Sequence, residues 1–213
     1  MTQQGWVPIA LSQMIEPGTS AGTLVDGAEI VVWRDSSAVA HAWEDRCPHR
    51  GMKMSFGFVR GDHIACLYHG WEYDESGTCR YIPAHPDLEV PKSICISRYA
   101  VADTGDMIWA HVPLGSTPEA APEMTAMAGL RSVYFKAPLT EVLGHLKEAK
   151  IDGAIAQYDI QGIPAVIGLQ SISPSQSALH VTLPEGTSSE LRLSVLDWCE
   201  SLRLKIETAE VAA

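Results

Sequence analysis

Residues 42–73, AWEDRCPHRGMKMSFGFVRGDHIACLYHGWEY, contain two short segments that each combine a cysteine with a histidine. The first segment is Cys47-Pro48-His49-Arg50-Gly51, and the second is Cys66-Leu67-Tyr68-His69-Gly70-Trp71. Sixteen residues separate His49 from Cys66. We call residues 47–51 the first loop and residues 66–71 the second loop. Because thiolate and imidazole are common metal ligands, the pattern predicts one metal site built from both loops.

Three interpretations of the four residues are open from the pattern alone. In one type of two-iron cluster, one iron takes two cysteines and the other takes two histidines, so each mixed loop would reach both irons. A tetrahedral zinc ion also binds two cysteines and two histidines, although zinc sequences usually present them in unmixed pairs. The third interpretation is four unrelated core residues. Gly51 and Gly70 favour a ligand site, because glycine permits the tight backbone and the close approach that a bound cluster needs.

The stretch resembles the Rieske domain of the Rieske non-heme iron oxygenases, the aromatic-ring hydroxylases and the O- and N-demethylases. The likeness covers about residues 5–112, and its motifs are WVPIA, VVWRD, DRCPHRG, YHGWEYDESGTCRYIPA and GDMIWAH. The resemblance implies one Rieske-type [2Fe–2S] cluster per chain. It also implies that Cys47 and Cys66 ligate one iron and that His49 and His69 ligate the other.

Five further residues are candidates for contact with the cluster. Gly51 and Gly70 would bring backbone N–H groups close to the cluster sulfurs. Tyr68 and Trp71 would shield the cluster or act as ordinary core aromatics. Arg50 would pair with a carboxylate near the cluster or lie free on the surface.

The resemblance also indicates a cluster of low reduction potential. Rieske proteins of respiratory complexes carry two further cysteines, joined as a disulfide, at the positions of Met52 and Tyr68. They also have a serine that donates to a cluster sulfur where this chain has Trp71. Since fewer donors stabilise the reduced cluster less, we expect a potential near about −150 mV rather than about +300 mV.

Composition narrows the classes of partner. Fifteen Lys and Arg against 26 Asp and Glu give a net charge of −11, which argues against nucleic acid and against anionic membranes. An acidic surface favours docking on a basic face of a protein partner. The N-terminal residues do not resemble an export signal, no apolar run is long enough to span a membrane, and the five cysteines do not suggest a disulfide framework. We therefore expect a cytoplasmic protein.

The chain is predicted to divide into three parts. Residues 1–112 show short β segments between turns, which predicts a mainly β Rieske domain of small antiparallel sheets. Residues 113–130 contain three prolines and predict a linker. Residues 131–213 predict a small α+β domain whose order resembles a reduced helix-grip domain. Its predicted elements are a strand over 131–136, a helix over 138–150, strands over 165–172 and 177–183, and a long helix from 187–190 to about 207.

A family oxygenase needs a second, mononuclear iron, held by two histidines and a carboxylate. The family pattern is Asp, two residues, His, four residues, His. His111, His145 and His180 do not complete it, so no catalytic residue is assigned.

The sequence therefore favours an electron-transfer protein, ferredoxin-like or a non-catalytic oxygenase subunit, that passes electrons from a reductase to a terminal oxygenase. One alternative is a compact terminal oxygenase, a hydroxylase or demethylase with an unrecognised mononuclear iron site. The other is a redox-sensing or assembly protein with a structural cluster. Whether the chain is itself an enzyme stays open. Apolar residues on a second face of the last helix, Leu193, Leu196 and Leu204, predict a homo-oligomer, with the trimer of the resembling oxygenases as the expected form.

Overall fold

Antiparallel strands make up most of the structure, a computed structural model that describes residues 2–124 and 126–209. The strands are β1 Gly5–Leu11, β2 Ser20–Val25, β3 Ala28–Arg34, β4 Ala40–Glu44, β5 Phe58–Arg60, β6 His63–Ala65, β7 Glu72–Asp74, β8 Cys79–Tyr81, β9 Val101–Thr104, β10 Met107–Val112, β11 Met127–Phe135, β12 Lys150–Asp152, β13 Ile155–Ile160, β14 Ile163–Ser173 and β15 Gln176–Pro184. The helices are α1 Leu139–Gly144 and α2 Ser189–Ala209, with 3-10 turns at Ser12–Met14 and Met54–Phe56.

Three small sheets form the first part of the chain, in the strand orders β1-β10-β9, β2-β3-β4 and β5-β6-β7-β8. Strand β3 separates two apolar cores, because successive side chains of a strand point to opposite faces. Ile30 and Val32 join the core formed with β1 and β10. Val31 and Trp33 join the core that contains Cys47 and Cys66. The candidate ligands are therefore anchored in a packed core.

The second part is a five-stranded sheet, in the order β11-β15-β14-β13-β12, which packs against α1 and α2. Helix α2 buries Val195, Cys199, Leu202 and Ile206 on the sheet, at the spacing of one helical face. These side chains and the sheet residues beneath them fill the space between helix and sheet.

Hydrogen bonds join the two parts along β2 and β14. The Gln170 amide donates to Thr23 Oγ1 at 2.8 Å and to the Leu24 carbonyl at 2.9 Å. Backbone N–H groups of Asp26 and Gly27 donate to the carbonyls of Ser171 and Ile172 at 2.8 Å. Neither helix in the described part of the chain is long and apolar enough to cross a bilayer.

The predicted fold class is confirmed. Among the turns expected between short β segments, hairpin turns lie at 61–62, 74–77 and 104–106. The helix predicted over 138–150 is wrong beyond Gly144, because the chain continues in turns and Glu148 has a φ of 69°. Leu146 is buried in these turns as it would be in a longer helix. Lys150 already belongs to β12.

Candidate metal centre

The first and second loops have the same backbone construction. In each, the cysteine N–H donates to the carbonyl five residues later, and the cysteine carbonyl accepts from the glycine four residues later. The four bonds, from 2.8 to 2.9 Å, are Cys47 N to Met52 O, Gly51 N to Cys47 O, Cys66 N to Trp71 O and Gly70 N to Cys66 O. The repetition produces two matching loops that present their ligands as a pair.

Both loops turn at a glycine in the left-handed region, Gly51 at φ 72° and Gly70 at φ 69°. Side chains with a Cβ rarely adopt this backbone conformation. At Gly70 a Cβ would also lie 3.1 Å from Pro83 Cγ, which is tighter than ordinary packing. The second loop is thus held between its own turn and the segment that follows β8.

The two cysteines form a buried sulfur pair. The pKa of the Cys47 thiol is lowered by hydrogen bonding from Cys66, and further by the Tyr73 hydroxyl and the N–H groups of His49 and Arg50. Hydrogen bonding to Cys47 and burial raise the pKa of Cys66, while the N–H groups of Tyr68 and His69 act in the opposite direction. Both loops therefore direct backbone donors at sulfur, which suits thiolate ligands.

The two histidines form an outer pair whose ring centroids lie 4.5 Å apart. His49 stacks on Trp71, with centroids 4.3 Å apart and planes 4° from parallel. His49 Nδ1 is buried without a hydrogen-bond partner among the described residues. A buried, unpaired ring nitrogen is costly unless it binds something, so this atom fits a metal ligand. His69 lies on the exposed side of the pair.

The donor set fits a two-iron cluster. Each pair contains one residue from each loop, so the sulfurs and the imidazoles are separated as in a cluster with two cysteines on one iron and two histidines on the other.

Comparison with known proteins agrees with this geometry. Residues 5–92 match the family described as the Rieske [2Fe-2S] domain. This stretch is a Rieske domain. The cofactor of the chain is accordingly a Rieske-type [2Fe–2S] cluster.

The curated relatives of the chain include oxidoreductases. Oxidoreductase NdmD of Pseudomonas putida is 32% identical over 201 residues, which cover 87% of this chain and 34% of that protein. The 3-chlorobenzoate-3,4-dioxygenase oxygenase subunit of Comamonas testosteroni is 29% identical over 154 residues, covering 71% of this chain and 32% of that protein. The chain thus spans about a third of the length of these relatives.

A solved structure shares the fold. Dicamba monooxygenase bound to dicamba superposes with a TM-score of 0.77 at 16% identity, covering 99% of this chain and 88% of that one. The likeness therefore includes the second sheet and α2 as well as the Rieske domain.

The other candidate residues lie at different depths around the Rieske loops. Trp71 is half-buried behind His49, where it shields that ring. Tyr68 is 58% exposed and its ring centroid lies 4.0 Å from that of His69, so it is not a core aromatic. Arg50 is exposed and takes part in no ion pair within the described residues.

The sequence pattern does not single out Tyr73, which the structure places at the sulfur pair. Its hydroxyl lies 3.2 Å from Cys47 Sγ, and its side chain is fully buried. Burial and the bond to Cys47 raise the pKa of Tyr73, so the hydroxyl stays protonated and serves as a donor. Trp71 and Tyr73 are two residues apart at the start of β7, and this alternation could have indicated an inward Tyr73.

Proposed function

We propose that the protein is a one-electron carrier that accepts electrons from a reductase and passes them to an oxygenase. Cys47 and Cys66 would ligate the inner iron, and His49 and His69 the outer one. The observation that carries the proposal is the asymmetry of the site: the sulfur pair is buried, while His69 reaches the surface. A partner that docks on this face would meet an imidazole bonded directly to iron.

The cluster supplies a one-electron reducible centre, and the protein determines how it is held and reached. Tyr73 and the loop N–H groups donate to sulfur and so stabilise negative charge on reduction. Trp71 fixes the orientation of the His49 ring. Tyr68 stands beside His69 and would be among the first side chains that a partner contacts.

Two histidines outside the cluster loops, His111 and His180, have structural partners, which supports a carrier. His180 uses both ring nitrogens in bonds of 2.8 Å, to Ser132 Oγ and to Gln170 Oε1. His111 Nδ1 lies 2.9 Å from Ser116 Oγ, and its ring packs edge-on against Trp6. His145 is the residue that ends α1.

The second sheet also supports this reading. The space between the sheet and α2 is filled by side chains of the helix, including Val195 and Ile206, which are fully buried. The alignment with NdmD covers 87% of the chain, so it must extend into the second sheet. That relative is named an oxidoreductase.

A second candidate, a terminal oxygenase, is favoured by one observation. The fold likeness to dicamba monooxygenase covers 99% of this chain. An oxygenase of this kind would bind a mononuclear iron in addition to the cluster.

An electron-delivery experiment tests the carrier. The purified protein would be photoreduced anaerobically with deazaflavin and mixed with ferricytochrome c. We expect uptake of one electron per chain, the spectrum of a reduced Rieske cluster, and stoichiometric reduction of the cytochrome. A cluster that resists reversible reduction, or that cannot reduce cytochrome c, would instead indicate a structural role.

The assembly of the protein is a related proposal. Leu193 and Leu204 on α2 are 61% and 58% exposed, and their spacing places them on one side of the helix. We propose that this side packs on another copy of the chain, with a trimer as the expected form. Light scattering at micromolar concentration should show an oligomer that the double change Leu193→Glu/Leu204→Glu dissociates. A monomeric parent protein would contradict the proposal.

We also propose a cytoplasmic location. All five cysteines are free, and Cys79 and Cys199 are buried thiols outside the two loops. Free thiols of this kind persist in a reducing compartment.

A further inference from the structure

Cationic residues are concentrated beside the cluster of an otherwise acidic chain. Residues 46–61 contain Arg46, Arg50, Lys53 and Arg60 but no aspartate or glutamate. The second loop also contains no carboxylate. The whole chain, by contrast, has a net charge of −11. Residues 46–61 therefore form a cationic segment in an acidic chain, and the nearby carboxylates of Asp62 and Glu72 already pair with Arg80.

Three of these cations are available to a partner. Arg46, Arg50 and Arg60 are exposed, and none forms an ion pair within residues 2–124 and 126–209. Lys53 differs, since it pairs with Glu29 at 2.7 Å. Arg46 lies directly beside the first loop: a Cβ on Gly51 would be 3.4 Å from Arg46 Nε.

Exposed apolar side chains lie next to the same loops. Phe58 is half exposed and pairs with Ala65, the residue before Cys66. Arg60 lies 6.0 Å above the Phe58 ring, and Leu67 and Tyr68 project from the second loop itself. Aromatic residues and arginine are enriched in protein interfaces, while aspartate and glutamate are depleted there.

We propose that this surface, formed by Arg46, Arg50, Phe58, Arg60, Leu67 and Tyr68, docks an acidic redox protein whose carboxylates surround its own cofactor. The proposal rests on the electron-transfer function and names the chemistry of the partner. It reverses the expectation from net charge, which favours a basic partner face. At physiological salt, exposed charges more than about 8 Å away are largely screened, so the charges at the contact decide the pairing.

Electron transfer from a defined acidic protein tests the proposal. Reduced plant-type [2Fe–2S] ferredoxin would be the probe, and its rate of electron transfer to the oxidised protein would be measured by stopped flow at several salt concentrations. From physiological salt upward, where only charges near the contact act, we expect the second-order rate constant to fall as salt rises, because the attraction at the contact is screened. Arg50→Glu and Arg60→Glu should each slow the reaction about tenfold at physiological salt, and the loss should shrink at higher salt.

Lys205→Glu is the matched control, because it makes the same change in net charge at an exposed position on α2. This variant should react at nearly the parental rate. Arg50→Glu could lose its cluster spectrum, because Arg50 lies in the first loop. In that case Arg60→Glu tests the acidic partner, because Arg60 lies outside both loops.

Two results would overturn the acidic partner. The rate constant for the parent protein could rise with salt above the physiological concentration, or Lys205→Glu could slow the reaction as much as Arg60→Glu. Neither result would affect the electron-transfer function as long as the cluster is still reduced reversibly by photoreduced deazaflavin. Failure of that reduction would refute the function itself, whatever the salt dependence.

Discussion

The cluster loops and the polar centre of the second sheet each bury a histidine ring nitrogen, but the bonding of that nitrogen differs between them. His49 Nδ1 is buried without a partner, and its ring faces His69. In the second sheet His180 is fully buried, and both of its ring nitrogens are hydrogen-bonded. Gln170 uses its amide to donate to Thr23 and Leu24, so its Oε1 must accept the N–H of His180.

The contrast shows how a ligand histidine differs from a structural one. A neutral imidazole has one donor and one acceptor, and His180 satisfies both within the protein. The unpaired nitrogen of His49 would be costly in a core without a metal. Bonding of the ring nitrogens therefore separates the two roles, whereas burial alone does not.

The largest expected effect is loss of the cluster. His49→Ala or His69→Ala removes one of the four proposed ligands, so the protein should lose the absorption and electron paramagnetic resonance signals of a Rieske cluster. The change His180→Leu should leave both signals in place. Retention of the spectrum in His69→Ala would show that the ligand set is wrong.

The next effect concerns the stability of the second sheet. His180→Leu leaves Ser132 and Gln170 without their buried partner, and such losses cost about 2–4 kcal/mol. Urea unfolding at neutral pH should show this decrease in the free energy of unfolding. A change below about 0.5 kcal/mol would mean that the network contributes little to stability.

The same residue predicts a pH dependence. Burial lowers the pKa of His180 to about 4, while the unfolded chain titrates near 6.5. Between these values the unfolded state binds more protons, so stability falls as pH falls through this range, by about 3 kcal/mol in total. The stability difference between the parent and His180→Leu should therefore narrow from pH 7 to pH 4.5. Parallel pH profiles for the two proteins would contradict a neutral, buried His180.

A smaller effect is expected from Tyr73. Tyr73→Phe removes one hydrogen bond to Cys47, worth about 1 kcal/mol, which corresponds to roughly 40 mV for one electron. The midpoint potential should fall by about this amount, because the reduced cluster carries more negative charge. Tyr99→Phe is the matched control, since Tyr99 is buried in a different core. A potential that rises, or that shifts equally in the control, would exclude Tyr73 as a donor to the cluster.

The sequence predicts the Rieske half of the molecule well because ligand spacing and turn residues are local. Cys47, His49, Cys66 and His69 lie in two short loops, so their types and intervals already suggest the site. The role of Tyr73 is not predicted from the sequence, since its contact with Cys47 depends on how β7 packs. Whether the four residues ligate iron stays a prediction.

The second sheet is harder to predict from the sequence. Strands β12 and β13 have no place in the predicted order, although Asp152-Gly153 and Gln161-Gly162 mark the turns that bound β13. The apolar residues Val142 and Leu146 have the spacing of a continuous helix, but Val142 is buried within α1 and Leu146 is buried in the turns that follow it. On the last helix the spacing of apolar residues predicts a buried face of Leu191, Val195, Trp198, Leu202 and Ile206. In α2, however, Leu191 is exposed and Cys199 is buried on that face.

The iron and sulfide content per chain tests the central claim most directly. A carrier with one Rieske cluster should contain two irons and two acid-labile sulfides per chain after purification with added ferrous iron and desalting. A third iron per chain, held without sulfide, would contradict the carrier and support the terminal oxygenase.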